Sequence, residues 1–215
     1  MYLSRIQIDD NDQKKIKDLN NLESYHGWIE SSFPNEFEEN IRTRKLWRID
    51  TLFNKRYLLL ISRDKPSKEM ITKYGISKTL KTINYNDFLE KVYPGMVAKF
   101  RLVANPTYSK STGKSSGKRG KPFQCVSIDG QMQFLEKRAQ KNGFSLIDSE
   151  YTITHRSTEL LKKENRKIYI SKVCYEGRLI INDAKLFTDL LCNGLGHNKS
   201  YGFGMITIIP EDISL

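Results

Sequence analysis

The sequence predicts an α+β protein built from two βαββαβ units in tandem. Segments in which every second residue is apolar, typical of strands, alternate with segments whose apolar residues are three or four apart, typical of helices. The order of these segments is similar in the two halves of the 215-residue chain, and a Tyr-Pro-Gly turn at 93–95 lies between them. The similarity of the two halves suggests tandem ferredoxin-like (RRM-like) domains, although it lies in the order of elements and no repeated sequence is visible.

The first unit is predicted to cover residues 1–93. Its most distinctive element is a long helix, because Ile16, Leu22, His26 and Ile29 form one apolar stripe and Pro34 lies just beyond its end. A linker is expected over 87–92. The predicted strands and helices are, in order, a strand at 2–8, a helix at 13–32, strands at 45–50 and 57–62, a helix at 68–73 and a strand at 80–85.

The second unit is predicted to cover residues 96–215. It opens with a strand whose apolar and polar residues alternate, and its last helix is predicted to end at Gly194, a residue type that favours the end of a helix. The predicted elements are a strand at 96–104, a helix at 130–141, strands at 151–155, 167–172 and 175–182, a helix at 184–192 and a strand at 204–209.

The charge of the chain indicates a polyanionic partner. Lysine and arginine number 36 against 25 acidic residues, which gives a formal net charge of +11 and favours nucleic acid over an anionic membrane. No apolar run is long enough to span a membrane, and the first residues do not resemble a signal peptide, so a cytoplasmic location is expected. The three cysteines are far apart and indicate neither a disulfide framework nor a zinc knuckle.

Two basic regions of the second unit are candidate phosphate-binding surfaces. The segment 108–121 is rich in glycine, serine and cations and is expected to be mobile until an anion orders it, although composition alone also fits a solvated linker. The helix at 130–141 adds further cations, and Arg42 belongs to a smaller basic group in the first unit. The candidates in the second unit are Lys110, Lys114, Lys118, Arg119, Lys121, Lys137, Arg138 and Lys141.

The glycine-rich segment 194–204 is a second kind of candidate phosphate site. It follows a helix and precedes a strand, which is the reverse of the order in a P-loop or a dinucleotide-binding motif. Exposed backbone amides beside a lysine suit a phosphate, but the same glycines also fit a tight helix-to-strand connection. The residues proposed for this role are Gly194, Gly196, Asn198, Lys199 and Ser200.

Three histidines, His26, His155 and His197, are the groups that titrate nearest to neutral pH. His26 lies on the apolar stripe of the first helix, where a buried structural histidine and a catalytic one are equally compatible with the pattern. His155 is expected to be structural or to contact RNA. The sequence holds no HExxH motif, histidine cluster or paired aspartates of a two-metal nuclease, which disfavours a metal site. RNA allows a route without metal, in which its own 2′-hydroxyl attacks the adjacent phosphate.

Several segments together resemble the CasE (Cse3) family of CRISPR-associated endoribonucleases. The likeness runs nearly from end to end, and it includes the spacing from His26 to Phe33 and Pro34. The other matching segments are MYLSRIQI at 1–8, LWRID at 46–50, FRLVANP at 100–106, YEGRLIINDAKLF at 175–187 and GLGHNKSYGFGMI at 194–206.

This resemblance implies two ferredoxin-like (RAMP) domains that bind the stem-loop of each repeat in precursor CRISPR RNA. It implies cleavage at the 3′ base of the stem without metal or cofactor, leaving a 5′-hydroxyl and a 2′,3′-cyclic or 3′-phosphate. The product is then expected to stay bound while the protein, monomeric in isolation, joins the Cascade complex.

The family's catalytic histidine corresponds to His26. Where the family commonly has a tyrosine three residues earlier, this chain has Glu23, which is expected to orient His26 and to favour its imidazolium form. Tyr25 is kept as a weaker catalytic candidate and Lys199 as a phosphate stabiliser. Two other functions remain open, a non-catalytic repeat-binding subunit and a general single-strand RNA binder.

Overall fold

The computed structural model describes residues 1–109, 122–164 and 166–211. The first unit is a four-stranded antiparallel sheet with the strand order β2-β3-β1-β4 and with helices between its strands. This is the order expected of a ferredoxin-like βαββαβ unit. Its elements are β1 (Tyr2–Gln7), α1 (Gln13–Ile16), α2 (Leu22–Ser31), α3 (Pro34–Glu38), β2 (Leu46–Leu52), β3 (Lys55–Ser62), α4 (Lys68–Ile71), β4 (Lys81–Asn84) and α5 (Asn86–Leu89).

The second unit has the same topology, with the strand order β10-β5-β9-β8. A small two-stranded sheet, β6 with β7, is inserted after its first strand. The α+β prediction of tandem ferredoxin-like units is therefore confirmed. Its elements are β5 (Val97–Ala104), β6 (Thr107–Ser109), β7 (Pro122–Gln124), α6 (Ile128–Ala139), β8 (Phe144–Lys163), β9 (Arg166–Ile181), α7 (Ala184–Asn193) and β10 (Ile206–Pro210).

The two units pack closely against each other through β2. Leu46 belongs to the apolar cluster of the second unit, and Trp47 belongs to a cluster that also contains Phe203. The buried guanidinium of Arg48 donates hydrogen bonds to the carbonyl oxygens of Arg101 at 3.1 Å and Met205 at 3.2 Å. The two sheets fall on either side of 93–96, and the division into domains there stays a prediction.

The long helix predicted over 13–32 is instead two helices. α1 has only four residues, and α2 begins after Asn21, whose side chain accepts a hydrogen bond from the amide of Glu23 at 2.9 Å. Asparagine is a strong N-cap because its short side chain satisfies an amide that has no partner within the helix. The apolar stripe thus predicted which face is buried but not the break at 17–21.

The second sheet also differs from its prediction. The short strand predicted at 151–155 is part of β8, which has 20 residues, and the two strands predicted at 167–172 and 175–182 are one strand, β9. The predicted linker at 87–92 contains most of α5, and the sequence patterns did not predict α3, β6 or β7. The expectation of a mobile segment at 108–121 falls largely on residues 110–121, outside the described ranges. No helix in the described part of the chain is long and apolar enough to span a membrane.

Candidate active site at the junction of the two units

His26 lies on α2, at the place where the second unit packs against this helix. Its side chain is 24% exposed, so it is accessible and is not a fully buried core histidine. Its Nδ1 atom lies 3.8 Å from Oε1 of Glu30, one helical turn further along. The imidazole also makes an edge-to-face contact with the ring of Tyr201, with 5.3 Å between the ring centroids. Residues from both units therefore flank this histidine.

Glu30 connects His26 to a buried set of charges. Lys45, whose side chain is only 2% exposed, lies 3.3 Å from Glu30 and donates a 2.6 Å hydrogen bond to Glu36. Glu36 also accepts hydrogen bonds from the amide and the hydroxyl of Thr43. Burial alone would raise the pKa of Glu36, but the hydrogen bonds from Lys45 and Thr43 outweigh it and hold that pKa below its usual value. Glu36 is therefore ionised at neutral pH.

Tyr201 is the residue of this site that sequence patterns missed. Its hydroxyl lies near enough to the carboxylate of Glu23 for the two groups to interact, and the Oε2 atom of Glu23 is buried without a hydrogen-bond partner among the described residues. Burial first, and then the charge of Glu23, raise the pKa of Tyr201, so its hydroxyl stays protonated at neutral pH. From the sequence, Glu23 is expected to orient His26. In the structure Glu23 lies beside Tyr201, and Glu30 is the carboxylate that lies 3.8 Å from Nδ1 of His26.

The glycine-rich segment brings Tyr201 to His26 by packing on β2. A Cβ at Gly202 would lie 2.7 Å from the ring of Trp47, and one at Gly194 would lie 2.8 Å from Leu46. The indole of Trp47 also donates a 2.9 Å hydrogen bond to the carbonyl oxygen of Ser200. The glycines therefore permit a close approach between the two units. This contact agrees with the simpler of the two sequence interpretations, a tight connection.

Lys199 points its ammonium group at the protein backbone. Its Nζ atom donates hydrogen bonds to the carbonyl oxygens of Asn193 at 2.9 Å and Gly194 at 3.1 Å. Burial, together with the nearby charge of Arg44, lowers the pKa of Lys199. Asn198 adopts a left-handed conformation with φ of 58°. A role for Lys199 as a phosphate stabiliser would require the ammonium group to exchange these carbonyls for a phosphate.

Tyr25 faces a different part of the site. Its hydroxyl accepts a 2.8 Å hydrogen bond from Arg56, which is also paired with Asp10, and its ring stacks on Trp47 at a centroid distance of 5.8 Å. Burial raises the pKa of Tyr25, although Arg56 opposes this effect. These contacts hold Tyr25 in place, and they do not include the imidazole of His26.

The predicted basic residues occupy several surfaces. Arg42 and Lys141 are exposed. Arg138 is half-buried, with its guanidinium 3.8 Å from the centroid of Phe134, and Lys137 donates to a glutamine on its own helix. Gly196 approaches the same Phe134 ring. Five predicted residues lie outside the described ranges: Lys110, Lys114, Lys118, Arg119 and Lys121. Among the residues that the structure describes, no group of three or more His, Cys, Asp or Glu side chains is placed to hold a metal ion.

Two ferredoxin-like units on a strongly basic chain, with an accessible histidine where they meet, define a candidate nucleic-acid-processing protein of the α+β class. A family model described as "CRISPR associated protein" matches residues 1–210. The chain belongs to this family, and within it to the Cse3/CasE group. The family resemblance found in the sequence is therefore confirmed.

Individual relatives agree with this assignment. The chain is 22% identical to the CRISPR-associated endoribonuclease Cse3 of Thermus thermophilus over 98% of this chain and 100% of that protein. It is 27% identical to the Cascade subunit CasE of Escherichia coli over 54% and 59% of the two chains. A solved structure of Cse3 bound to a 19-nucleotide RNA has a TM-score of 0.79 at 22% identity and covers 97% of this chain and 98% of its own. The Escherichia coli Cas6e structure has a TM-score of 0.64 at 23% identity and covers 98% and 100%.

Proposed function

We propose that this protein is a metal-independent endoribonuclease that binds the repeat hairpin of precursor CRISPR RNA and cleaves it at the 3′ base of the stem. The observation that carries the proposal is the accessible His26 held between Glu30 and Tyr201 at the junction of the two units. The relatives' names support it, since one is an endoribonuclease and another a Cascade subunit. One related structure is described as a pre-cleavage complex with RNA.

In the proposed reaction the 2′-hydroxyl of the nucleotide before the scissile bond attacks the adjacent phosphorus. The 2′-hydroxyl loses its proton as it bonds to phosphorus, the bond from phosphorus to the 5′-oxygen breaks, and the departing oxygen takes up a proton. His26 is the group proposed to exchange protons with the RNA. Because Nδ1 faces Glu30, the Nε2 atom is the one left for this exchange. The products are a 5′-hydroxyl end and a 2′,3′-cyclic phosphate end, and addition of water to the cyclic phosphate gives a 3′-phosphate.

The neighbours of His26 have positioning roles in this proposal. Tyr201 lies beside Glu23 and limits rotation of the imidazole through its edge-to-face contact. Because its hydroxyl stays protonated, Tyr201 does not serve as a base. Glu30 lies 3.8 Å from Nδ1 of His26 and is itself held by Lys45. A catalytic group held in one orientation reacts faster than one that must find its geometry in each encounter.

After cleavage we propose that the protein keeps the mature RNA and enters Cascade with it, in the cytoplasm where the transcript is made. The net charge of +11 supports retention, because contacts between cations and phosphates release counterions. Arg42 and the cations of α6 are proposed RNA contacts, as are the segment 110–121 and the glycine-rich segment. The isolated chain is expected to be a monomer.

The test is cleavage of an end-labelled repeat hairpin in EDTA by the wild type and by His26→Ala. His155→Ala, which removes an exposed histidine of β8, is the control at saturating RNA, where loss of an RNA contact lowers affinity but not the rate of cutting. We expect His26→Ala to lower the single-turnover rate by at least about 100-fold with little change in binding, and the control to cut normally. A 2′-deoxy nucleotide at the scissile position should block cutting.

Each other outcome removes part of the proposal. If His26→Ala cuts normally, the histidine is structural. If the wild type cuts only with added divalent metal, the metal-free route is wrong. Tight binding of the hairpin without any cutting would favour a non-catalytic repeat-binding subunit, and equal affinity for scrambled RNA of the same length would favour a general single-strand binder.

A further inference from the structure

The hairpin of β8 and β9 extends beyond the rest of its sheet as an arm. The pairing of β5 with β9 ends at Val173, so residues 157–163 and 166–172 form a two-stranded ribbon. One face of this ribbon carries Leu161 and Ile170, which are 4% and 3% exposed in a cluster that includes Leu22 of α2. The arm therefore crosses from the second unit onto the helix that carries the candidate catalytic histidine.

The tip of the arm holds two pairs of cations in direct opposition. Lys162 lies opposite Lys167, Lys163 lies opposite Arg166, and all four residues are exposed. Like charges placed opposite each other on adjacent strands destabilise a sheet, because their Cβ atoms are only about 5 Å apart. Within the described ranges none of the four has an acidic partner. An anionic ligand would remove this repulsion.

An exposed aromatic side chain lies next to one of these pairs. Tyr169 follows Lys167 by two residues, so the two side chains share a face of the ribbon, and Tyr169 is 61% exposed. Its carbonyl oxygen accepts a 2.9 Å hydrogen bond from the side chain of Gln124, which holds β7 beside the arm. Cations that follow phosphates, next to a ring on which bases stack, are the combination that binds single-stranded nucleic acid. A paired stem offers phosphates but no free base faces.

We infer that the arm tip, meaning Lys162, Lys163, Arg166, Lys167 and Tyr169, binds a single-stranded RNA segment that flanks the repeat hairpin. The inference rests on the proposed function, since it takes the hairpin to be cleaved beside α2, where the arm packs. Lys162 and Lys167, on the same face as Tyr169, contact successive phosphates, and Tyr169 stacks on an unpaired base, while Lys163 and Arg166 add positive charge from the opposite face of the tip. The arm thus guides the strand that enters or leaves the cleavage site. It raises the affinity for RNA that carries a flanking strand, but not the affinity for the hairpin alone.

The test compares RNA probes with and without a flank. The probes are a fluorescent hairpin with a 2′-deoxy scissile nucleotide, alone and with about eight uridines on its 5′ or 3′ side. The variants are Lys162→Ser with Lys167→Ser, and Tyr169→Ala. The matched control, Lys78→Ser with Lys81→Ser, removes two exposed lysines from the first unit and changes net charge equally. Thermal denaturation checks folding, and loss of the opposed lysines should leave the melting temperature unchanged or higher.

We expect the double lysine variant to lose roughly tenfold in affinity for one flanked probe while it binds the bare hairpin like the wild type. The slope of log affinity against log salt should fall by about 1.4 for that probe, because two phosphate contacts are gone. Tyr169→Ala should lower affinity for the same probe without changing the slope. The control should bind both probes like the wild type.

Three results would overturn the inference. Equal losses on bare and flanked hairpins would mean contact with the stem, and equal losses in the control would mean a general effect of charge. Normal RNA binding with reduced recovery of the other Cascade subunits would place a protein at the tip. These failures leave the proposed function intact if the wild type still cuts the bare hairpin. Conversely, if the wild type does not cut that hairpin, affinity for oligouridine alone still tests the arm.

Discussion

Replacing Lys45 by methionine tests how much the buried ion pair of Lys45 and Glu36 contributes to the stability of the fold around His26. The lysine is 2% exposed and lies 2.6 Å from Glu36, which is itself buried. Methionine fills a similar volume but leaves Glu36 ionised and without its counter-charge. Removing one partner of a buried ion pair costs about 3–5 kcal/mol, because the remaining charge is neither hydrated nor paired. We expect a loss of stability of this size at pH 7.

The dependence on pH gives this prediction a sharper form. In the wild type the pKa of Glu36 is lowered, so its stabilisation is present above the unfolded value of 4.5 and is lost as the pH falls through the folded pKa. Without Lys45, burial dominates and the folded pKa is expected to rise. The variant then carries a penalty that is present at pH 7 and disappears as the carboxylate takes up a proton. The stability difference should therefore narrow in acid.

Urea denaturation followed by tryptophan fluorescence measures both effects, since Trp28 and Trp47 are buried. The control is Lys45→Met combined with Glu36→Gln, which removes both charges and keeps an acceptor for Thr43. We expect this double variant to be only about 1–2 kcal/mol less stable than the wild type. A single variant within about 1 kcal/mol of the wild type at pH 7, or a difference that does not narrow by pH 4.5, would refute the reasoning.

Two further predictions concern the contacts between the units. Gly202→Ala should lower stability by about 2–4 kcal/mol, because φ is +85° there and the new methyl group would meet the Trp47 ring. The control, Gly27→Ala, lies in an open position on α2 and should be neutral or stabilising by calorimetry. Similar melting temperatures for these two variants would contradict this account. Tyr201→Phe should slow single-turnover cleavage by about tenfold through loss of the interaction of its hydroxyl with Glu23, whereas Tyr25→Phe should cost about 1 kcal/mol of stability and leave cleavage unchanged. Equal effects of the two tyrosine variants on cleavage would remove the positioning role of Tyr201.

Local patterns in the sequence were sufficient for the order of the main strands and helices and for the buried face of α2. They failed where the end of a helix or strand depended on a capping side chain or on packing between the two units. The break before α2 follows from the capping side chain of Asn21, which an unbroken apolar stripe conceals. The full lengths of β8 and β9 follow from the packing of Leu161 and Ile170 against the first unit, because an isolated ribbon of that length has little to stabilise it.

The sequence by itself determined the fold class, the basic character of the surface and the position of His26 on the inner face of a helix. These properties follow from periodicity and composition, which are local along the chain. Only the tertiary structure decided which groups surround the imidazole. Tyr201 reaches it from the opposite end of the chain because glycines let that segment lie against Trp47. Glu23 and Glu30 are both within about one turn of His26, and packing of the two units decides that Glu23 lies beside Tyr201 while Glu30 faces Nδ1 of His26.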